Sequence, residues 1–282
     1  MVELELIDET FDKDRTEVYE LSIQACLNGF SFAIKDTIRN TFIVLISKPF
    51  TNQVYNHDIW VDHVSEIVSN YPFFSQKYKK VLFTYSHSAI AMVPEVFFEE
   101  KKAKELFELS HTLPEYCELH CKQHQNGSGF IQIFSLPYAL TSSWLKIQPD
   151  TKFLNPISPL LCYSDISKNN CLLQVLIDDR EIKLVLHENG SFLSFNSFQY
   201  LNVTDAVYYI LSFCKALKEE ISFIKVNVAG ESSINNDLIK TLQDYFTIVH
   251  SDSHYGSSHF SYQLLRYRNK FFSLFNSSMV CE

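Results

Sequence analysis

Ser191-Phe-Leu-Ser-Phe-Asn-Ser-Phe-Gln-Tyr200-Leu-Asn-Val-Thr-Asp205-Ala-Val-Tyr-Tyr-Ile-Leu211 is the stretch whose reading decides the fold. Phe192 to Phe195 reads as a strand, which the sequence ends at Phe195-Asn196. After a connector, Thr204-Asp205 opens a helix running to about Lys218. Val207, Ile210, Leu211, Cys214 and Leu217 recur at three- and four-residue spacing, so they share its inner face.

Working outward, two strands precede this stretch. Leu173–Ile177 and Ile182–Leu186 are joined by the turn Asp178-Asp179-Arg180, and Glu188-Asn189-Gly190 turns into Phe192. The strand Ile224–Val228, ending in Ala229-Gly230, follows the helix. A helix Asn235–Tyr245 comes next, with Leu238, Ile239, Leu242 and Tyr245 inward, then a short strand Phe246–Val249. The order is strand, strand, strand, helix, strand, helix, strand.

The same order occurs about 150 residues earlier, in pattern rather than in residue identity. Met1 to Glu17 form an acidic arm or a partly docked strand. Leu21, Ile23 and Ala25 alternate with Ser22 and Gln24 as in a half-buried strand. Asn28-Gly29 supplies the positive φ angles of a tight turn into Phe30–Ile34, and Thr41–Ile46 completes a meander. Trp60, Val64, Ile67, Val68 and Tyr71 mark an amphipathic helix stopped by Pro72. Val81–Tyr85 is a buried strand, with Ala89–Val93 its extension or neighbour. A helix Glu99–Leu109, strands Tyr116–Lys122 and Phe130–Phe134, and a helix Tyr138–Ile147 follow. Asn155-Pro-Ile-Ser-Pro159 reads as a linker, which divides the chain into residues 1–160 and 161–282.

Composition narrows the function classes. A chain of 282 residues, 46% hydrophobic and 20% charged, is globular and large enough for two domains. Its formal net charge of -9 argues against wrapping a phosphate backbone or docking on anionic lipid. The acidic start Met1 to Glu9 is unlike a signal peptide, and no apolar run approaches the ~18 residues of a membrane span. Seven cysteines, an odd number at irregular spacing, then read as reduced thiols in a cytoplasmic protein.

A three-stranded meander followed by helix, strand, helix, strand resembles the ribonuclease-H-like unit. Two such units in tandem resemble the actin-like ATPase superfamily, which includes actin, the sugar kinases and the Hsp70 chaperones. Phe195-Asn-Ser-Phe-Gln-Tyr200 and Asp205-Ala-Val-Tyr-Tyr-Ile-Leu211 are similar to an uncharacterised family of Bacteroidota, a domain of unknown function placed near that superfamily. Tyr19-Glu-Leu-Ser-Ile23 and Asn28-Gly-Phe-Ser-Phe32 match it near the N-terminus, so the resemblance spans nearly the whole chain. It implies an α/β fold of two ribonuclease-H-like units, βββαβαβ each, in an actin-like ATPase arrangement with a cleft between halves.

Active members of the superfamily place an Asp and a Gly-rich turn between the first two strands of each half, to hold phosphates and magnesium. Here the first turn offers Asn28 and Gly29 but no carboxylate between Leu21 and Lys35 to order a magnesium ion. The second offers Asp178 and Asp179 but no glycine whose backbone could close around an anion. The adenosine motif, a strand followed by two glycines, keeps one of them in Gly230-Glu231-Ser232-Ser233. These seven residues, Asn28, Gly29, Asp178, Asp179, Gly230, Glu231 and Ser232, are the candidate remnants of a nucleotide site. The bland alternative makes the first two pairs ordinary hairpin turns. The expectation is a non-catalytic fold with no cofactor that binds a protein partner. The alternative is a nucleotide-binding switch or ATP-dependent enzyme with an atypical phosphate site.

Three further stretches carry chemistry-bearing residues. Cys117, His120, Cys121 and His124 would converge on zinc from a helix, but a strand sends the cysteines and the histidines to opposite faces. As a strand is the reading, no metal is expected there. His250-Ser-Asp-Ser-His-Tyr-Gly-Ser-Ser-His259 contains the residue types of a hydrolase triad without a nucleophile elbow. Phe271-Phe-Ser-Leu-Phe275 is either a docking segment or, as favoured here, a last core element.

Overall fold

The computed structural model describes residues 3–50, 58–87, 89–123, 129–162, 171–178, 180–217, 220–230, 234–251 and 256–281. The chain forms two compact units. Unit 1 comprises Met1–Pro156, Ser257–Leu265 and Ser277–Glu282, and unit 2 comprises Ile157–Gly256 and Arg266–Asn276.

Unit 1 begins with β1 (Leu4–Ile7), β2 (Tyr19–Cys26), β3 (Gly29–Asp36), β4 (Thr41–Pro49), α1 (Asp58–Asn70) and β5 (Lys80–Tyr85). There follow β6 (Ile90–Pro94), α2 (Ala103–Glu108), β7 (Cys117–Gln123), β8 (Phe130–Pro137), α3 (Tyr138–Leu145) and β9 (Lys152–Leu154). The main sheet has the order β1-β4-β3-β2-β5-β9, with β2, β5 and β9 parallel and the meander antiparallel. The expected face of α1 is the buried one: Trp60, Val64, Ile67 and, just past its end, Tyr71. Beneath it Phe30, Phe32, Phe74, Phe83 and Trp144 form an aromatic core, with the Phe32 and Phe74 rings stacked at 4.4 Å. Offset contacts of this kind add to the area each ring buries.

Two expectations for unit 1 need correcting. β2 is buried on both faces rather than one, because its Ser22 hydroxyl meets that of Ser277 at 3.0 Å in a returning C-terminal turn. Residues 89–93 do not extend β5. As β6 they pair with β8, Ile90 against Phe134, in a separate sheet of order β6-β8-β7 inserted before α3. Phe107 of α2 is fully buried against this sheet, with Ala91, Val93, Ile131 and Ile133.

Unit 2 contains α4 (Ser158–Leu161), β10 (Cys171–Ile177), β11 (Glu181–Glu188), β12 (Ser191–Gln199), α5 (Val203–Leu217), β13 (Lys225–Gly230), α6 (Asn235–Leu242) and β14 (Ile248–His250). The chain then passes through β15 (His259–Phe260), which pairs with β4 of unit 1, and returns as α7 (Phe272–Asn276). The sheet order β12-β11-β10-β13-β14 repeats that of β4-β3-β2-β5-β9. Asn189 and Gly190, both at positive φ (53° and 78°), make the two-residue turn between β11 and β12. One face of the sheet (Leu173, Val175, Leu184, Leu186, Val226) packs on Ile210, Cys214, Leu238 and Leu242 of α5 and α6.

Several boundaries differ from the sequence reading. β12 runs past Asn196 to Gln199, because pairing with β11 continues to Glu181. The cap of α5 is Asn202, whose side chain accepts the Asp205 N–H at 3.0 Å, while the Asp205 carboxylate accepts the Leu201 N–H. Leu217, the last residue of α5, and Tyr245, beyond the end of α6, are exposed rather than inward; Phe246 takes the buried place beside Tyr245. Asn155, Ile157 and Ser158 are fully buried, so the segment where the units divide is packed chain rather than an open linker. Residues after 160 are not one contiguous half, since 257–265 and 277–282 return to unit 1. The Phe-rich stretch is core: Phe271, Phe272, Leu274 and Phe275 are buried, and α7 packs beside β13.

Candidate functional site

Of the candidate residues, Asn28 and Gly29 lie where β2 turns into β3, Asp178 lies just after β10 and Gly230 ends β13. In unit 1 the turn is set by the register of β2 and β3, which pairs Cys26 with Gly29 and leaves Leu27 and Asn28 at the apex. Asn28 does not adopt the left-handed conformation expected of it. The Cys26 thiol lies 2.9 Å from Asn28 Oδ1 and 3.2 Å from the Gly29 carbonyl oxygen, and the Asn28 carbonyl accepts the Phe50 N–H at 2.9 Å. Gln24 donates to the Ser86 hydroxyl at 2.9 Å. With no acidic side chain on this hairpin between Leu21 and Lys35, nothing in it orders a divalent cation.

In unit 2 the carboxylate is present but occupied. Asp178 Oδ1 accepts the backbone N–H groups of Arg180 (3.0 Å) and Glu181 (2.8 Å), an Asx-type closure that turns the loop's donors inward. The Asp178 N–H donates to the Glu181 carbonyl at 3.0 Å. Lys183, almost fully buried, bonds the Glu181 carboxylate and stands 4.0 Å from Asp178 Oδ2. From the end of β12, the Tyr200 hydroxyl donates to the Asp178 carbonyl and its N–H to the Arg180 carbonyl. Asp179 lies outside the described residues.

Gly230 sits beside this turn, paired with Ile177 in the β10–β13 register. Its φ is +97°, and a Cβ built there would stand 2.1 Å from the Ile177 carbonyl oxygen. Its N–H donates to the Asn269 carbonyl at 3.1 Å, and its carbonyl accepts from Asn235 Nδ2 at 3.0 Å. The glycine is therefore required by the close approach of two backbones. Glu231 and Ser232 lie outside the described residues. The structure thus brings Asp178 and Gly230 together at one end of the unit 2 sheet. Sequence reasoning missed Cys26, Tyr200, Asn235 and Asn269 as the groups that close these turns. Only Tyr200 carried a signal, being the last residue of the Phe-Asn-Ser-Phe-Gln-Tyr motif.

The other chemistry-bearing stretches resolve as follows. β7 is a strand, which places Cys117 and Cys121 on one face and His120 on the other; His124 lies outside the described residues. Burial, and secondarily Glu118, pushes the Cys117 thiol pKa up; burial and then Glu100 do the same at Cys121. His120 bonds Glu118 at 2.9 Å and stacks on Phe134. Among the described residues no three His, Cys, Asp or Glu side chains are placed to share a metal ion. His250 ends β14 and His259 begins β15, with 252–255 outside the described residues. On β11, His187 is almost fully buried, neither ring nitrogen has a hydrogen-bond partner among the described residues, and burial holds its pKa at about 4.

Two sheets of one strand order, each built as meander, helix, strand, helix, strand, define a protein of the actin-like ATPase fold. Residues 8–249 match the family described as protein of unknown function (DUF3822), and the chain belongs to that family. A Bacteroides thetaiotaomicron protein with actin-like ATPase fold and unknown function superposes with a TM-score of 0.76 at 19% identity, covering 97% of this chain and 100% of its own. The PilM–PilN type IV pilus biogenesis complex matches with a TM-score of 0.57 at 11% identity, over 95% of this chain and 100% of the matched one. An inorganic polyphosphate/ATP-glucomannokinase from Arthrobacter sp. strain KM matches at 0.50 and 8% identity, over 93% and 97%. No curated protein matches the sequence.

Proposed function

We propose that this chain is a non-catalytic actin-like fold, a pseudo-ATPase of the cytoplasm that works by binding a protein partner or serving as a scaffold. One observation carries the reading: the phosphate-turn positions are closed by their own groups. The Arg180 and Glu181 amides are spent on Asp178, the Gly230 amide is spent on Asn269, and the first hairpin brings no carboxylate. An anion at the Asp178 turn or at Gly230 would have to displace an internal hydrogen bond, and these exposed or partly buried bonds are worth about 0.5–1.5 kcal/mol each. The PilM neighbour is known in a complex with PilN, which agrees with a partner-binding use of this fold. A net charge of -9 disfavours nucleic acid as that partner. No described helix is long and apolar enough to cross a membrane.

The rival reading is a nucleotide-binding switch or an ATP-dependent enzyme with an atypical phosphate site. Isothermal titration with ATP and with ADP, each with and without magnesium, separates the two. The expected result is no saturable heat at micromolar concentrations. Magnesium-dependent micromolar binding would overturn the proposal.

A further inference from the structure

β1 ends the main sheet of unit 1, and among the described residues no strand pairs with its outer edge. Asp8, just past its end, donates its N–H to the Ile43 carbonyl at 2.9 Å. Antiparallel pairing alternates, so the backbone groups of Leu6 and Leu4 also face β4, while those of Glu5 and Ile7 face outward. Along this edge runs a groove of about 500 Å³ between β1, the end of β4 and α1. Its lining includes Glu5 of β1 and Glu3 just before it, Lys48 of β4 and Phe50 just past its end, and His63 and Glu66 from α1. Phe50 and His63 stack face to face at 3.7 Å to form an aromatic floor.

The charges are unbalanced. Lys48 is shared by Glu3 (2.9 Å) and Glu5 (3.4 Å), and Glu5 also accepts the Tyr71 hydroxyl at 2.6 Å. Among the described residues no lysine or arginine lies within 4.0 Å of the Glu66 carboxylate, which stands 3.8 Å from His63 Nδ1. The three carboxylates thus face one ammonium group. His63 Nε2 is buried in the same wall, with no hydrogen-bond partner among the described residues.

We propose that this edge and groove form a docking site for an extended basic segment of a partner protein, which adds as a strand to β1. The inference rests on the partner-binding reading above and deepens it. A strand added at an edge gains main-chain hydrogen bonds, and its alternate side chains fall on opposite faces. One set would enter the groove beside Glu3, Glu5 and Glu66, where Lys or Arg is favoured and Asp or Glu repelled. The other set would lie beside half-buried Leu4 and Leu6, which suit Val, Ile or Leu. The occupant is therefore a stretch alternating basic and apolar residues. The same carboxylates would repel an acidic edge, which also guards the open strand against indiscriminate pairing.

The test uses the full chain and fluorescent ten-residue peptides alternating Arg with Val. Controls are a scramble of the same composition, a peptide with Glu in place of Arg, and one N-methylated on alternate residues. Anisotropy should show saturable binding of the alternating peptide only. The paired change Glu5→Gln and Glu66→Gln, which keeps the acceptor for Tyr71, should weaken it about tenfold. Hydrogen exchange at the Glu5 and Ile7 amides should slow on binding. Equal binding of the scramble would reduce the effect to non-specific charge attraction and overturn the proposal. Absence of binding, or variants that bind like the original, would overturn it too. The nucleotide titration is independent, so a chain that binds neither peptide nor ATP loses this site and keeps the broader reading.

Discussion

A hydrogen atom at the Gly230 α-carbon is all that fits between β13 and the Ile177 carbonyl oxygen, at a φ that L side chains rarely adopt. Gly230→Ala is expected to destabilise unit 2 by about 3 kcal/mol or more, since the clash is with backbone that cannot rotate away. Urea denaturation followed by far-UV circular dichroism measures it. An unchanged midpoint would return Gly230 to the class of ordinary loop glycines. The sequence marks this position as special but not why, because the reason is a contact with β10, a sheet neighbour that lies far back in the chain. Asp178 is the contrasting case. Its bonds to Arg180 and Glu181 span two and three residues, so local turn chemistry made them legible. Tyr200 lies between: the motif flags it, yet only the folded sheet brings its hydroxyl to the Asp178 carbonyl.

Among the elements, α5 shows how local signals can be right in kind and wrong in position. Apolar spacing identified the helix and its inward residues Val207, Ile210 and Cys214. The helix begins at Val203, one residue before the Thr204 that the sequence suggests, and Asp205, its third residue, serves the cap from inside. Asn202→Ala should therefore lower stability by about 1 kcal/mol, whereas Thr204→Ala should do little. Thermal unfolding of the two variants compares them directly, and an equal loss in both would contradict the assignment. Both meanders were legible because alternation and turn residues are local. The burial of β2 on its second face was not, since the cover for Ser22 comes from Ser277, 255 residues away. Nor was the pairing of β6 with β8 in a separate sheet, since it joins strands separated in the chain by α2 and β7.

For the molecule as a whole, acid is the informative stress. In the unfolded chain His187 takes up a proton near its ordinary value of 6.5, whereas burial delays that uptake to about 4 in the fold. Between these values the unfolded state binds more protons, so stability falls as pH drops from 6.5 to about 4 and this contribution levels off below. The loss is on the order of 3 kcal/mol. Carboxylates titrate in part of the same window, so the check is the difference between the native chain and His187→Leu in urea melts at several pH values. Parallel curves would refute the role of His187. The route of the chain has one further consequence. It passes between the units four times, at 156/157, 256/257, 265/266 and 276/277. During synthesis, β2 leaves the ribosome long before Ser277, and β4 long before Phe260. Unit 1, although first in order of translation, must wait with an uncovered sheet until unit 2 has been made.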